Sequence, residues 1–524
     1  MQRLPSQKRG SAAFLLAGCS KIVKQFPSTK LTLILSILAA TSLTLAIYLT
    51  IATITHPQRE ETAQMPTETT LILYDGPQTK TSSDLAHIWV ESQQLFVYEA
   101  MVNHEHIWNA NTVPCRTAIA YFDFEGRVTI EIEMPMLEVI ESAVILPSAH
   151  GITPSIENNR VTFTIDQPGF FTVVYNNEPH LATHIFANPI ETDIPDRNDP
   201  NVIFIEPGHW QIDQIHLQSG QTLYISGGAV LNSVIIADSV ANVTIRGRGI
   251  ICGYGFPAWN QPGSSARVPI DIRNSRNITA EGFILINSNA WVFNSYNSQD
   301  LYASNIKIIS GRQNGDGFTF QSCRNHTVTD SFVRTWDDSL VIKNYAGSSY
   351  NITFERIQIW TDLAQSMEIG YETNKGNRPN PEISHITFRD IYVLFANHKP
   401  VISIHNSDNA FVHNVLFHNI VVDNAFMRGD NGHNNELIEF HMLKTHWSTV
   451  ADEWGSIRDV TIDGLVVHNT LDGNIPASNF WGHNAEHTLE NVTMRNIYIL
   501  GERITSLEAL NAQLNDFAFN IIIE

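Results

Sequence analysis

The sequence predicts an all-β protein, a right-handed parallel β-helix preceded by an antiparallel β-sandwich and an N-terminal transmembrane helix. Three observations predict it. Residues 31–55, "LTLILSILAATSLTLAIYLTIATIT", form 25 residues without a charge. Short alternating segments then recur up to about residue 192. Beyond residue 200 a strand–corner–strand unit repeats to the end of the sequence.

The uncharged segment is long enough to span a bilayer. Arg3, Lys8, Arg9, Lys21, Lys24 and Lys30 precede it, and Glu60 and Glu61 follow it. The excess of basic residues before it predicts a cytoplasmic tail over residues 1–30, a signal anchor over 31–55 and an extracytoplasmic remainder. Cleavage of the segment would release a secreted protein. "LLAGCS" resembles a lipoprotein box ending at Cys19, but the apolar stretch before it is short and reads as chance. Residues 56–68, "HPQREETAQMPTE", are polar and read as a linker.

From 69 to 192, segments such as "RVTIEIEM", "NNRVTFTID" and "GFFTVVYNN" alternate between turn residues. Period two with frequent Gly, Pro and Asn predicts an antiparallel sandwich. Residues 193–524 carry the repeat. Its units start at Asn242, Asn277, Asp300, Asn325, Asn351, His385, Asn414, Asp459 and Asn491, at steps of 35, 23, 25, 26, 34, 29, 45 and 32 residues. Each has a polar lead residue, a short strand, a Gly, Asn or Asp corner and a second strand. Helical periodicity is missing between most units, which disfavours an α/β alternative and predicts coils that stack and bury their Val, Ile, Leu and Phe. Handedness follows from the general bias of parallel crossovers. Several lead asparagines match N-x-S/T, but the coil pattern itself generates that motif.

The net charge of −21 argues against nucleic acid as a partner, because phosphate binding needs a basic face. Only Cys115, Cys252 and Cys323 follow the anchor, so at most one internal disulfide is possible, and no CxxC spacing points to a zinc site.

"NGDGFTFQSCRNHTVTDSFVRTWDDSL", residues 314–340, places Asp316 21 and 22 residues before Asp337 and Asp338. Residues one coil apart lie about 4.8 Å apart on neighbouring strands, so the three aspartates are expected to converge on one outer surface. Such carboxylates cannot all ionise cheaply, and a protonated acid beside an ionised base is what glycosidic cleavage requires. "NG" and "DG" are also ordinary turn dipeptides. Trp291, Trp336 and Tyr345 flank the cluster as candidate sugar-stacking aromatics.

The same stretch resembles the signature of glycoside hydrolase family 28, the polygalacturonases, in which N-T-D-G is followed one coil later by G-D-D. "NSNAWVFNSYNSQDLYASNIKI", residues 287–308, looks like that family's NSP-x-W coil. The front segment, with "FVYEA" and "HIFANP", is similar to that of the related dextranase and isopullulanase family. The resemblance implies a pectin-lyase-like solenoid with Asp337 as general acid and with Asp316 and Asp338 activating the attacking water, giving inversion without cofactor or metal. It sets Asn314 in the first motif.

The sequence also departs from that pattern. Gln365, in "AQSMEIGYE", stands where the family histidine would be. Ser403 and His405 replace the Arg and Lys of the R-I-K segment that binds galacturonate, within "VISIHNS" from Val401. Arg312 and Lys343 are candidate substitutes for that charge, and Glu368 and Glu372 are candidate hydroxyl ligands. A neutral polysaccharide is therefore an alternative substrate. A Ca²⁺-dependent polysaccharide lyase and a non-catalytic glycan-binding solenoid are the rival functions.

Overall fold

In a computed structural model, residues 69–103, 115–257, 259, 264–429 and 435–524 are described. The tail, the expected anchor over 31–55, Cys19 and the whole linker over 56–68 lie outside them. Among the described residues no helix is long and apolar enough to cross a membrane.

Strands from Thr70–Leu73 to Glu178–Pro189 build two facing sheets of six and five strands. Their inner faces share a core that includes Ile88, Phe122, Ile130, Phe163 and Val173. One pairing departs from the antiparallel expectation, since Glu178–Pro189 runs parallel to Cys115–Glu125. The long connection through the sandwich makes this possible where a tight hairpin would not.

From Val202–Ile205 to Ala518–Ile523 the chain winds into a 27-stranded array whose pairs, one coil apart, are parallel almost throughout. This is a parallel β-helix. Its corners explain the repeat. The lead residues Asn242, Asn277, Asp300, Asn325, Asn351, His385, Asn414, Asp459 and Asn491 all have φ between 53° and 59°. The left-handed region bends the strand within one residue, and Asn and Asp tolerate it better than most residues with a Cβ. The corners also stack. Asn277 Nδ2 donates to Asn242 Oδ1 at 2.6 Å, Asn351 to Asn325 at 3.2 Å and Asn491 to Asp459 at 2.9 Å.

Inside the coil, one aromatic ring per turn lies over the next. Phe320 and Phe354 are 5.4 Å apart, Phe354 and Phe388 5.3 Å, and Phe388 and Phe417 5.0 Å. Residues between the inward positions face out, which is how Lys343, Glu368, Ser403, His405 and Glu439 come to share one outer sheet.

Candidate active site

The register Phe318↔Leu340 aligns Asp316 with Asp338 when counted back two residues. Gly317 makes that approach possible. Its N–H donates to the Asp338 carbonyl at 2.8 Å, and a Cβ there would lie 2.4 Å from the Ser339 oxygen. The turn carrying Asp337 is pinned by Thr335, whose hydroxyl donates to the Asp337 carbonyl at 2.6 Å. One oxygen from each of Asp316, Asp337 and Asp338 lies within 4.8 Å of the other two, and all three residues are buried.

Burial, then repulsion from Asp337, pushes Asp316 up to about 8, against the pull of Lys343. Burial and the charges of Asp337 and Asp316 hold Asp338 well above the usual carboxylate range. Asp337 is also raised by burial, but it accepts the Asn314 and Asp338 N–H groups, both at 3.1 Å, which favours its ionised form. In the free site the protons therefore rest on Asp316 and Asp338 before Asp337. The reading of Asp337 as the acid requires a proton to reach it on substrate binding.

Lys343 lies 3.6 Å from Asp316 and 3.2 Å from Glu372. Burial opposes its charge, yet Glu372 and Asp316 outweigh burial and keep it protonated. Tyr345 is half-buried and donates to Glu372 at 3.1 Å. Trp291 is half-buried, with its ring 6.0 Å from Lys343 Nζ and edge-on to Trp259 at 6.1 Å. Lys343, Glu372 and Tyr345 thus join Asp316 in one linked set, with Trp291 over Lys343.

Other candidates sit differently from expectation. Trp336 is 1% exposed, because its turn is stacked between Ser310 and Ala364, so it offers no stacking face to a sugar. Arg312 donates to the Phe256 carbonyl at 2.8 Å and approaches Met101 Sδ, which commits it to the front of the molecule rather than to the aspartates. Gln365 supports the site through its backbone, whose N–H donates to Asp338 at 3.2 Å, while its side chain donates to the Tyr371 hydroxyl at 3.3 Å.

Glu368 and His405 are not open sugar ligands. They are 0% and 1% exposed, and His405 Nδ1 lies 3.0 Å from Glu368 while Nε2 lies 3.0 Å from Glu439. Ser403 donates to Glu368. Burial would lower His405, but the two carboxylates outweigh it and raise it to about 10. Tyr371 stacks on the imidazole at 4.3 Å and Trp447 lies 5.4 Å from Tyr371.

Glu439, Tyr371, Trp447 and Trp259 were missed by sequence reasoning. Counting outward positions along aligned coils would have found Glu439. Nothing marks Trp447, because it lies in a loop.

A solenoid with a buried aspartate cluster on its outer sheet is an arrangement suited to glycosidic cleavage. Residues 213–429 match the model of the glycosyl hydrolases family 28. Endo-polygalacturonases of Pectobacterium carotovorum subsp. carotovorum and Pectobacterium parmentieri are each 26% identical to this chain, over 299 and 308 residues. The alignments cover 53% and 55% of this chain and 67% and 70% of theirs. Dex49A from Penicillium minioluteum shares the fold, with a TM-score of 0.57 at 14% identity over 87% of this chain and 98% of its own. Over residues 213–429 the solenoid is thus similar to that family, and the protein is an O-glycosyl hydrolase.

Proposed function

We propose that this protein hydrolyses the glycosidic bonds of a pectic, galacturonate-containing polysaccharide outside the cytoplasm, with residues 31–55 holding it to a membrane. The observation that carries the reading is the convergence of Asp316, Asp337 and Asp338 from two coils onto one buried patch. The names of the two aligned bacterial relatives support the substrate class.

In this reading a proton passes to Asp337 on substrate binding and Asp337 gives it to the leaving oxygen, while of Asp316 and Asp338, side by side in register, the one left ionised takes the proton of the attacking water and the other holds that water. Lys343 keeps Asp316 oriented and balances the charge that develops there. The nearest oxygens fall within 4.8 Å, tighter than the roughly 6.5–9.5 Å of an ordinary inverting pair. Inversion therefore rests on the family resemblance and on the presence of two carboxylates for one water.

The test is product analysis on polygalacturonate. Hydrolysis by inversion gives new reducing ends whose first-formed anomer, read by proton NMR, is opposite to that of the substrate linkage. Products carrying an ultraviolet-absorbing double bond, formed only in the absence of a chelator, would instead establish a lyase. Binding without any cleavage of polygalacturonate or neutral glycans would leave a glycan-binding solenoid.

A further inference from the structure

A galacturonate substrate needs a cation beside the scissile bond, and the obvious cations are already committed. His405 has both ring nitrogens 3.0 Å from carboxylates, and the Glu368–His405–Glu439 set sums to one net negative charge, which repels a uronate. Lys343 is shared between Asp316 and Glu372. Arg312 is bound to the Phe256 carbonyl, and Arg428 lies over Phe426 at 5.3 Å.

Lys399 is different. It sits in the turn that precedes the strand Ile402–Asn406, and it is half-buried. Its ammonium makes no ion pair or hydrogen bond with the described residues. The pairs Leu340↔Met367 and Met367↔Ile402, counted back three residues, align Asp337 with Ala364 and Ala364 with Lys399. The turns follow that register, since the Ser339 N–H donates to the Gln365 carbonyl at 2.9 Å and the Ser366 N–H to the Pro400 carbonyl at 3.3 Å.

Two coil steps separate the Asp337 and Lys399 backbones by roughly 9–10 Å. The residue between them ends at a Cβ, so a floor of alanine lies below a carboxylate on one side and a four-carbon cationic stem on the other. The positive charge of Lys399 is also among the influences that favour the ionised form of Asp337.

We propose that Lys399 anchors the carboxylate of the uronate on the leaving-group side of the scissile bond, replacing the clamp that Ser403 and His405 no longer provide. The assignment rests on the reading of a uronate substrate and on Asp337 as the acid. A lysine suits this place because a flexible stem carries its charge across Ala364.

The experiment compares the wild type with Lys399→Met and Lys399→Arg on polygalacturonate, with thermal unfolding recorded for each. A charge-assisted contact predicts that the Met variant loses about 10- to 100-fold in kcat/KM. The Arg variant, which keeps the charge, recovers most of that loss. A Met variant within twofold of wild type, or an Arg variant as poor as Met at unchanged thermal stability, overturns the role of Lys399 and leaves the substrate reading standing. A wild-type enzyme that cleaves a neutral glycan and ignores polygalacturonate overturns both.

Discussion

Asp316, Asp337 and Asp338 are held where their charges are least welcome, and this has a consequence for stability. Asp338 is raised by burial and by its two neighbours. A carboxyl raised in the fold contributes its full stability below the unfolded value, near 3.9, and loses it as pH rises toward the folded value. At pH 7 the Asp338 carboxyl therefore weakens the fold. Asp338→Asn is expected to abolish turnover and to stabilise the protein by about 1 kcal/mol at pH 7, with no gain near pH 4. Thermal unfolding at the two pH values checks this, and a variant less stable at pH 7 would show that the ionised carboxylate supports the fold. At this scale the sequence was partly legible. The step of 21 to 22 residues reveals the aspartate cluster because a coil has a fixed rise. It does not reveal that Trp336 is buried or that Lys399 sits two coils from Asp337, since turn lengths vary and turns carry no periodicity.

Within the elements, the outer sheet that carries the site is tied across coils by side chains. His405 bridges Glu368 and Glu439, contributed by three successive strands, Met367–Tyr371, Ile402–Asn406 and Ile438–Met442. Replacing it with Gln leaves two buried carboxylates facing each other without a cation, an expected cost of about 3–5 kcal/mol. With its folded value near 10, this histidine's contribution is complete below about 6.5 and disappears as pH rises through about 10. The gap in unfolding temperature between wild type and His405→Gln should narrow accordingly, and a pH-independent gap would contradict the charge argument. The corners were readable from sequence because Asn, Asp and Gly announce left-handed backbone. Arg356 was not; it has φ 52°, and its guanidinium is held by Asp330 at 2.7 and 2.8 Å. Glu368 and His405 read as surface sugar ligands because alternation marks them as outward. Their mutual pairing, which closes them to solvent, depends on contacts between coils.

For the whole described molecule, the sandwich and the solenoid share a third core in which Tyr98, Ile119, Tyr121, Phe170 and Phe186 meet Ile284, Phe332, Trp360 and Leu394. Two buried ion pairs support that seam. Arg248 lies 3.1 Å from Asp123. Arg334 bonds Asp362 at 3.2 Å and His184 at 3.0 Å, and its guanidinium lies 4.2 Å from the Trp360 ring centroid. Arg334→Met should cost about 3–5 kcal/mol, because Asp362 stays buried without its cation. Sandwich and solenoid should still unfold in a single calorimetric transition. Two separated transitions in the wild type would show that the seam does not couple them. Polar contacts also cross the seam, since the Met101 N–H donates to Asn287 Oδ1 at 2.6 Å and Met101 contacts Arg312. Sequence reading placed both modules but not their contact, because a seam of apolar residues looks like any other core.

Hydrolysis by this chain depends on its three aspartates. The most direct measurement is reducing-end release from polygalacturonate by wild type and by Asp337→Asn, with circular dichroism and thermal unfolding recorded for both. The wild type is expected to turn over, and the variant to lose at least about 100-fold, as removal of a general acid requires, at unchanged fold. Substantial turnover by a folded Asp337→Asn protein would contradict that dependence.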